Sequence, residues 1–166
     1  MLFRSPTMTA PADITVTCGG LPAASTLPFT NGLSGGCLVS GTSNPSTFSA
    51  TPNACGGTVT ETWTATDSCG RALASVSRTI TVSSAALPTM TAPANSTVAC
   101  GGLPAASTLP FTNGLSGGCL VSGTSNPSTF SATPNACGGT VTETWTATDS
   151  YCSTTRIRRC RESRWV

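Results

Sequence analysis

The residues able to do chemistry in this chain are nine cysteines, six carboxylates and a serine in a glycine frame that occurs once in each of two identical stretches, with no histidine or lysine beside them. Gly32-Leu33-Ser34-Gly35-Gly36 matches the Gly-x-Ser-x-Gly frame of a hydrolase nucleophile. A serine there needs a base to take its proton, and the chain offers neither imidazole nor amine. The stretch therefore reads as a glycine-rich turn. Glu61 has no second carboxylate spaced for acid–base work. It is expected near the margin of its sheet, or paired with an arginine such as Arg78 on the next strand. No catalytic residue and no cofactor are expected.

Metal chemistry is equally thin. No Cys-x-x-Cys pair occurs, so zinc has no ligand set. Asp13 and Asp67 form a weak Ca²⁺ candidate, completed by backbone carbonyls. Against it, Asp67 is placed to cap its own turn, and the second copy has Asn95 where Asp13 stands. The cysteines remain. Cys18, Cys37 and Cys55 recur at identical spacing as Cys100, Cys119 and Cys137, a pattern of disulfides and of an oxidising, extracellular or cell-surface setting.

The element that must position these groups is Thr58-Val-Thr-Glu-Thr-Trp-Thr-Ala-Thr-Asp67, which returns unchanged as Thr140–Asp149. Strand side chains alternate between faces. Threonines 58, 60, 62, 64 and 66 then share one face, and Val59, Glu61, Trp63 and Ala65 the other. β-Branched residues favour strands, so this is a β-strand with Trp63, and Trp145 in the copy, anchoring the core. Ser75–Val82 alternates equally cleanly. Shorter strands are expected at Ile14–Cys18, Ala23–Thr30, Cys37–Thr42 and Thr47–Ser49, divided by Gly and Pro turns.

Pro6-Thr-Met-Thr-Ala-Pro recurs 82 residues later at Pro88. Residues 18–68 and 100–150 are identical, and 6–17 differ from 88–99 only at Asp13/Asn95, Ile14/Ser96 and Thr17/Ala99. The expected divisions are a non-repeat start at 1–5, repeat one at 6–87, repeat two at 88–150 and an aberrant tail at 151–166. Repeat two loses the alternating last strand and runs into Arg156, Arg158, Arg159, Arg161 and Arg164. The expectation is a frame change or arbitrary end, not a basic tail built for nucleic acid or anionic lipid. Without these arginines the body carries three basic and five acidic side chains. It has no basic face for nucleic acid, and no ~20-residue apolar run to span a membrane. Asn95-Ser-Thr97 is a glycosylation sequon absent from repeat one, read as a chance match.

Pro11-Ala-Asp-Ile-Thr-Val16, the Ala65-Thr-Asp-x-x-Gly70 turn after Trp63, and the closing Arg78-Thr-Ile-Thr-Val82 together resemble the hyalin repeat (HYR) domain, in the cysteine-bearing form of long bacterial surface proteins. The resemblance covers repeat one and repeat two up to Asp149. It breaks where Tyr151-Cys152 replaces Cys69-Gly70. It implies an all-β fold of two tandem immunoglobulin-like β-sandwiches, the second lacking its last strand, and a role in adhesion without catalysis.

On that topology Cys18 and Cys55 share one pole and Cys37 and Cys69 the other. Cys55 and Cys69 flank one strand, about 30 Å apart, beyond the reach of a disulfide. The expected bridges are Cys18–Cys55, Cys37–Cys69 and Cys100–Cys137, with Cys119 turning to Cys152 and Cys160 left over. The expected role is a stalk or spacer in an array, its partners being neighbouring repeats and a surface glycan or protein. The alternatives are a ligand-binding adhesin module and, from the threonine rows, an ice-binding face.

Overall fold

The computed structural model describes residues 4–132 and 139–149, and the backbone of 156–165. The chain is all-β and divides into two compact units, Met1–Ser84 and Ala85–Val166.

In the first unit the strands are β1 (Thr7–Met8), β2 (Ile14–Val16), β3 (Pro28–Thr30), β4 (Ser40–Thr42), β5 (Thr47–Phe48), β6 (Gly57–Trp63) and β7 (Val76–Val82). They form a three-stranded sheet ordered β1-β3-β4 and a four-stranded sheet ordered β2-β7-β6-β5. β6 and β7 are the strands the period-two pattern marks most clearly, and they pair antiparallel from Gly57↔Val82 to Trp63↔Val76. Val59, Glu61 and Trp63 are buried, while Thr58 and Thr60 face out. β2 lies parallel to β7, Ile14 beside Ile80 and Val16 beside Val82. The first and last long elements of the unit are thus neighbours.

The expected strand Ala23–Thr30 is reduced to β3, which begins at Pro28; before it, the Ser25 and Leu27 amides donate to the Ser46 and Ser43 hydroxyl oxygens instead of to a strand ladder. β1, where the sequence marks no strand, pairs with β3 and sets Met8 against Phe29. Residues 43–46 switch sheets. Ser43 and Ser46 donate their backbone N–H groups to Leu27 and Ser25 on one side, and Asn44 donates to Thr64 on the other.

The core has two apolar clusters. Met8, Phe29, Trp63 and Ala65 form one, and Val59, Ile80 and Val82 the other, flanked by Ile14, Val16, Leu21 and Phe48. Phe29 lies across β4 from Gly41. A Cβ at Gly41 would stand 2.7 Å from the ring, so only glycine admits the aromatic there.

The second unit repeats this plan with β8 (Thr89–Met90), β9 (Thr97–Val98), β10 (Pro110–Thr112), β11 (Ser122–Thr124), β12 (Thr129–Phe130), β13 (Thr140–Thr148) and β14 (Arg156–Trp165). The expectation that this unit lacks its last strand is corrected. β14 pairs antiparallel along β13 from Thr148↔Arg156 to Thr140↔Arg164, and parallel with β9 at its far end. The segment set aside as an aberrant tail takes the place that β7 holds in the first unit. Arginine weakens the alternation that marks a strand, but the unpaired edge of β13 accepts any extended backbone.

Candidate functional site

Between the two apolar clusters sits one polar node. Glu61 follows Val59 and precedes Trp63 on the buried face of β6, and it is fully buried. Its Oε1 accepts a 2.6 Å hydrogen bond from the Ser46 hydroxyl. Its Oε2 accepts from Arg78 Nε and Nη2, each at 2.7 Å. Arg78 reaches it because β7 sets the two residues directly opposite. The guanidinium carbon also lies 5.7 Å from the Trp63 ring centroid, within cation–π range. Trp63 Nε1 donates to the Ser25 carbonyl at 3.0 Å, and the Ser25 amide donates to Ser46 Oγ. The sheet switch at 43–46 is therefore tied to the tryptophan and the ion pair by one network. With both oxygens engaged and no exposure, the carboxylate braces the two sheets and is closed to a substrate. The second unit repeats it: Ser128 donates to Glu143 Oε1 at 2.6 Å and Trp145 Nε1 to the Ser107 carbonyl at 3.1 Å. In the backbone register Arg161 stands opposite Glu143.

Sequence reasoning anticipated the Glu61–Arg78 pairing but missed the serines. Ser25, Ser43 and Ser46 look like ordinary loop residues. The signal available was their recurrence at 107, 125 and 128, which the whole-segment identity concealed.

Asp67 and Asp13 have separate occupations. Asp67 Oδ1 accepts the amides of Cys69 and Arg71, and Oδ2 accepts from the Arg71 side chain at 2.8 Å. The Arg71 amide is the largest cause holding this carboxyl below its ordinary range. Desolvation opposes it, while the Arg71 side chain and the Cys69 amide add to it. Asp13 Oδ1 instead accepts the Thr79 amide on β7 at 2.7 Å. Among the described residues, no three His, Cys, Asp or Glu side chains gather as a metal would require. Asp13 and Asp67 thus each clasp backbone amides, Asp67 in its own turn and Asp13 on β7.

The Gly-x-Ser-x-Gly stretch is a loop. Gly35–Cys37 makes a single 3-10 turn at the tip of the β3–β4 hairpin. Buried Asn31 organises it, donating to the Cys37 carbonyl and accepting from the amides of Leu33 and Val39. Leu33 and Leu38 are exposed on this loop, as are Leu115 and Leu120 on its copy.

Cys18, Cys55 and Cys119 are disulfide-bonded. Cys37 and Cys69 are exposed free thiols, which corrects the expected Cys37–Cys69 bridge. Asn31 holds one cysteine's loop on the first sheet, and Asp67 holds the other's turn on the second. Each local clasp leaves its thiol facing water. Cys100 is exposed and Cys119 buried. Their expected partners, Cys137 and Cys152, lie outside the described residues, and of Cys160 only the backbone, in β14, is described.

The outer face of the four-stranded sheet is laid with hydroxyls. Thr15 aligns with Thr81 and Thr58, Thr79 with Thr60, and Ser77 with Thr62 and Thr47. No helix among the described residues is long and apolar enough to cross a membrane. Comparison with known proteins adds no relative: the sequence matches no family model, and no curated protein matches it.

Proposed function

We propose that this chain is a non-catalytic spacer of an extracellular or cell-surface protein, built from tandem immunoglobulin-like sandwiches of the hyalin-repeat kind. Its partners are neighbouring repeats, with a surface glycan or protein as ligand in the adhesive version of the role. The observation that carries the reading is the parallel pairing of β2 with β7. Tension on the two ends of the unit pulls these neighbours in opposite directions along their axes. It loads their hydrogen bonds together rather than one at a time. The clamp extends past the strands, where the Ser83 amide donates to the Val16 carbonyl at 2.9 Å.

The cysteines support the same role. Cys18 Sγ lies 3.4 Å from the Asn53 carbonyl oxygen, and the Cys55 amide is 2.9 Å from Asn53 Oδ1. This adjacency favours a Cys18–Cys55 bridge at the end of β2, tying the clamp to the turn before β6. Such a bridge contributes about 3 kcal/mol, which matters to a unit of this size.

A second reading has one observation in its favour. The aligned Ser and Thr rows make a charge-free hydroxyl lattice suited to ordered water, so thermal hysteresis of a solution of the chain tests ice binding. Pulling single chains by their ends tests the spacer reading. Discrete unfolding events for the units support it, and extension without resistance refutes it. A glycan panel then separates a plain spacer from an adhesin.

A further inference from the structure

The second unit carries a strand slot whose walls repeat those of the first at every position but one. Along one side, Thr140–Thr148 of β13 is identical to Thr58–Thr66, and along the other Thr97-Val98 of β9 repeats Thr15-Val16, with Ser96 where Ile14 flanks Ile80 in the first unit. In the first unit β7 fills this slot. Arg78 meets Glu61, Ile80 stands opposite Val59 with no exposure, and Val82 stands beside Val16. In the second unit β14 runs through the slot in the same register. Arg161 stands opposite Glu143, and Trp165 beside Val98. Only the arginine position matches. Ser163 stands opposite Val141 where β7 has Ile80, Arg159 opposite Trp145 where β7 has Val76, and the larger Trp165 beside Val98 where β7 has Val82.

Strand addition draws affinity from the backbone and specificity from alternate side chains. β14 supplies the backbone and matches the arginine position. A serine and an arginine offer far less apolar surface than the isoleucine and valine they replace. Its advantage is that it is tethered.

We infer that the slot between β9 and β13 is a peptide-binding site for an extended segment of pattern Val-x-Arg-x-Ile-x-Val on another polypeptide, with β14 as its displaceable occupant. The inference is independent of the spacer reading, since it needs only the match of β13 to β6, the match of Thr97-Val98 to Thr15-Val16, and the register of β14.

The test uses the full chain and a synthetic peptide of residues 75–83, followed by calorimetry and amide hydrogen exchange. The expected result is saturable one-to-one binding, with faster exchange at 156–165 and unchanged exchange in β7. The Arg78→Ala peptide binds about tenfold more weakly or worse, as loss of a charged hydrogen bond to the buried carboxylate requires. The Ile80→Ser peptide, which copies β14 at that position, is weakened as well. Absence of binding, equal binding by a scrambled peptide, or accelerated exchange in β7 instead of 156–165 overturns the inference.

Discussion

Arg78 holds Glu61 through two nitrogens, each 2.7 Å from one carboxylate oxygen, in the middle of an apolar core. The pair sits between the cluster around Trp63 and the cluster around Ile80, so both halves of the first unit pack against it. Removing one partner leaves a buried charge without its counterion. Arg78→Ala is expected to destabilise the first unit by about 3–5 kcal/mol. Replacing both residues together, as Glu61→Met with Arg78→Leu, recovers most of that loss. Native-state hydrogen exchange in 57–63 reads the effect, and protection in 140–148 stays unchanged in both variants.

Glycine is required at one hairpin position and dispensable at another. Gly41→Ala places a methyl 2.7 Å from the Phe29 ring and should cost about 1–3 kcal/mol. A Cβ at Gly36 meets nothing within 4 Å, so Gly36→Ala should fall within about 0.5 kcal/mol of the parent. Thermal unfolding of the two variants side by side distinguishes them.

Asp67 contributes a pH dependence of known sign. Its carboxyl is held below the ordinary range, chiefly by the Arg71 amide. The stabilisation is therefore complete above the unfolded value of about 3.9 and is lost as pH falls through the lower folded value. Asp67→Asn removes this contribution. Stability measured from pH 6 down to pH 2 should fall less steeply in the variant than in the parent.

The thiols divide by exposure and bonding. Maleimide applied to unreduced, folded protein should label Cys37 and Cys69 and leave Cys18, Cys55 and Cys119 unlabelled. Peptide mapping after labelling reads the sites. Protection of Cys37 or Cys69 contradicts the arrangement of the two loops.

Much of this was legible in the chain because a strict period of two has few readings. β6, β7 and the burial of Trp63 follow from alternation, while the opposition of Glu61 to Arg78, one of two placements expected for Glu61, is set by the strand register. β1 escaped notice because two residues carry no period, and its pairing with β3 is a tertiary choice. The sheet switch at 43–46 was illegible for a different reason. Its serines serve as acceptors for the amides of Ser25 and Leu27, a role that leaves no hydrophobic pattern. β14 was set aside because its arginines break the alternation, yet the open edge of β13 determines pairing through the backbone. The Cys37–Cys69 bridge failed because sharing a pole does not bring two loops together when Asn31 and Asp67 each fix one locally.

The central claim is that the first unit bears load through the parallel clamp of β2 on β7. The most direct measurement is the force needed to unfold it when single chains are pulled by their ends, compared with Ser83→Pro, which removes the amide that donates to Val16. The account predicts a lower unfolding force for the variant. It also predicts that reduction lengthens the unfolded first unit by about 120–130 Å, the extended span from Cys18 to Cys55. Equal force for parent and variant, with no added length on reduction, would contradict it.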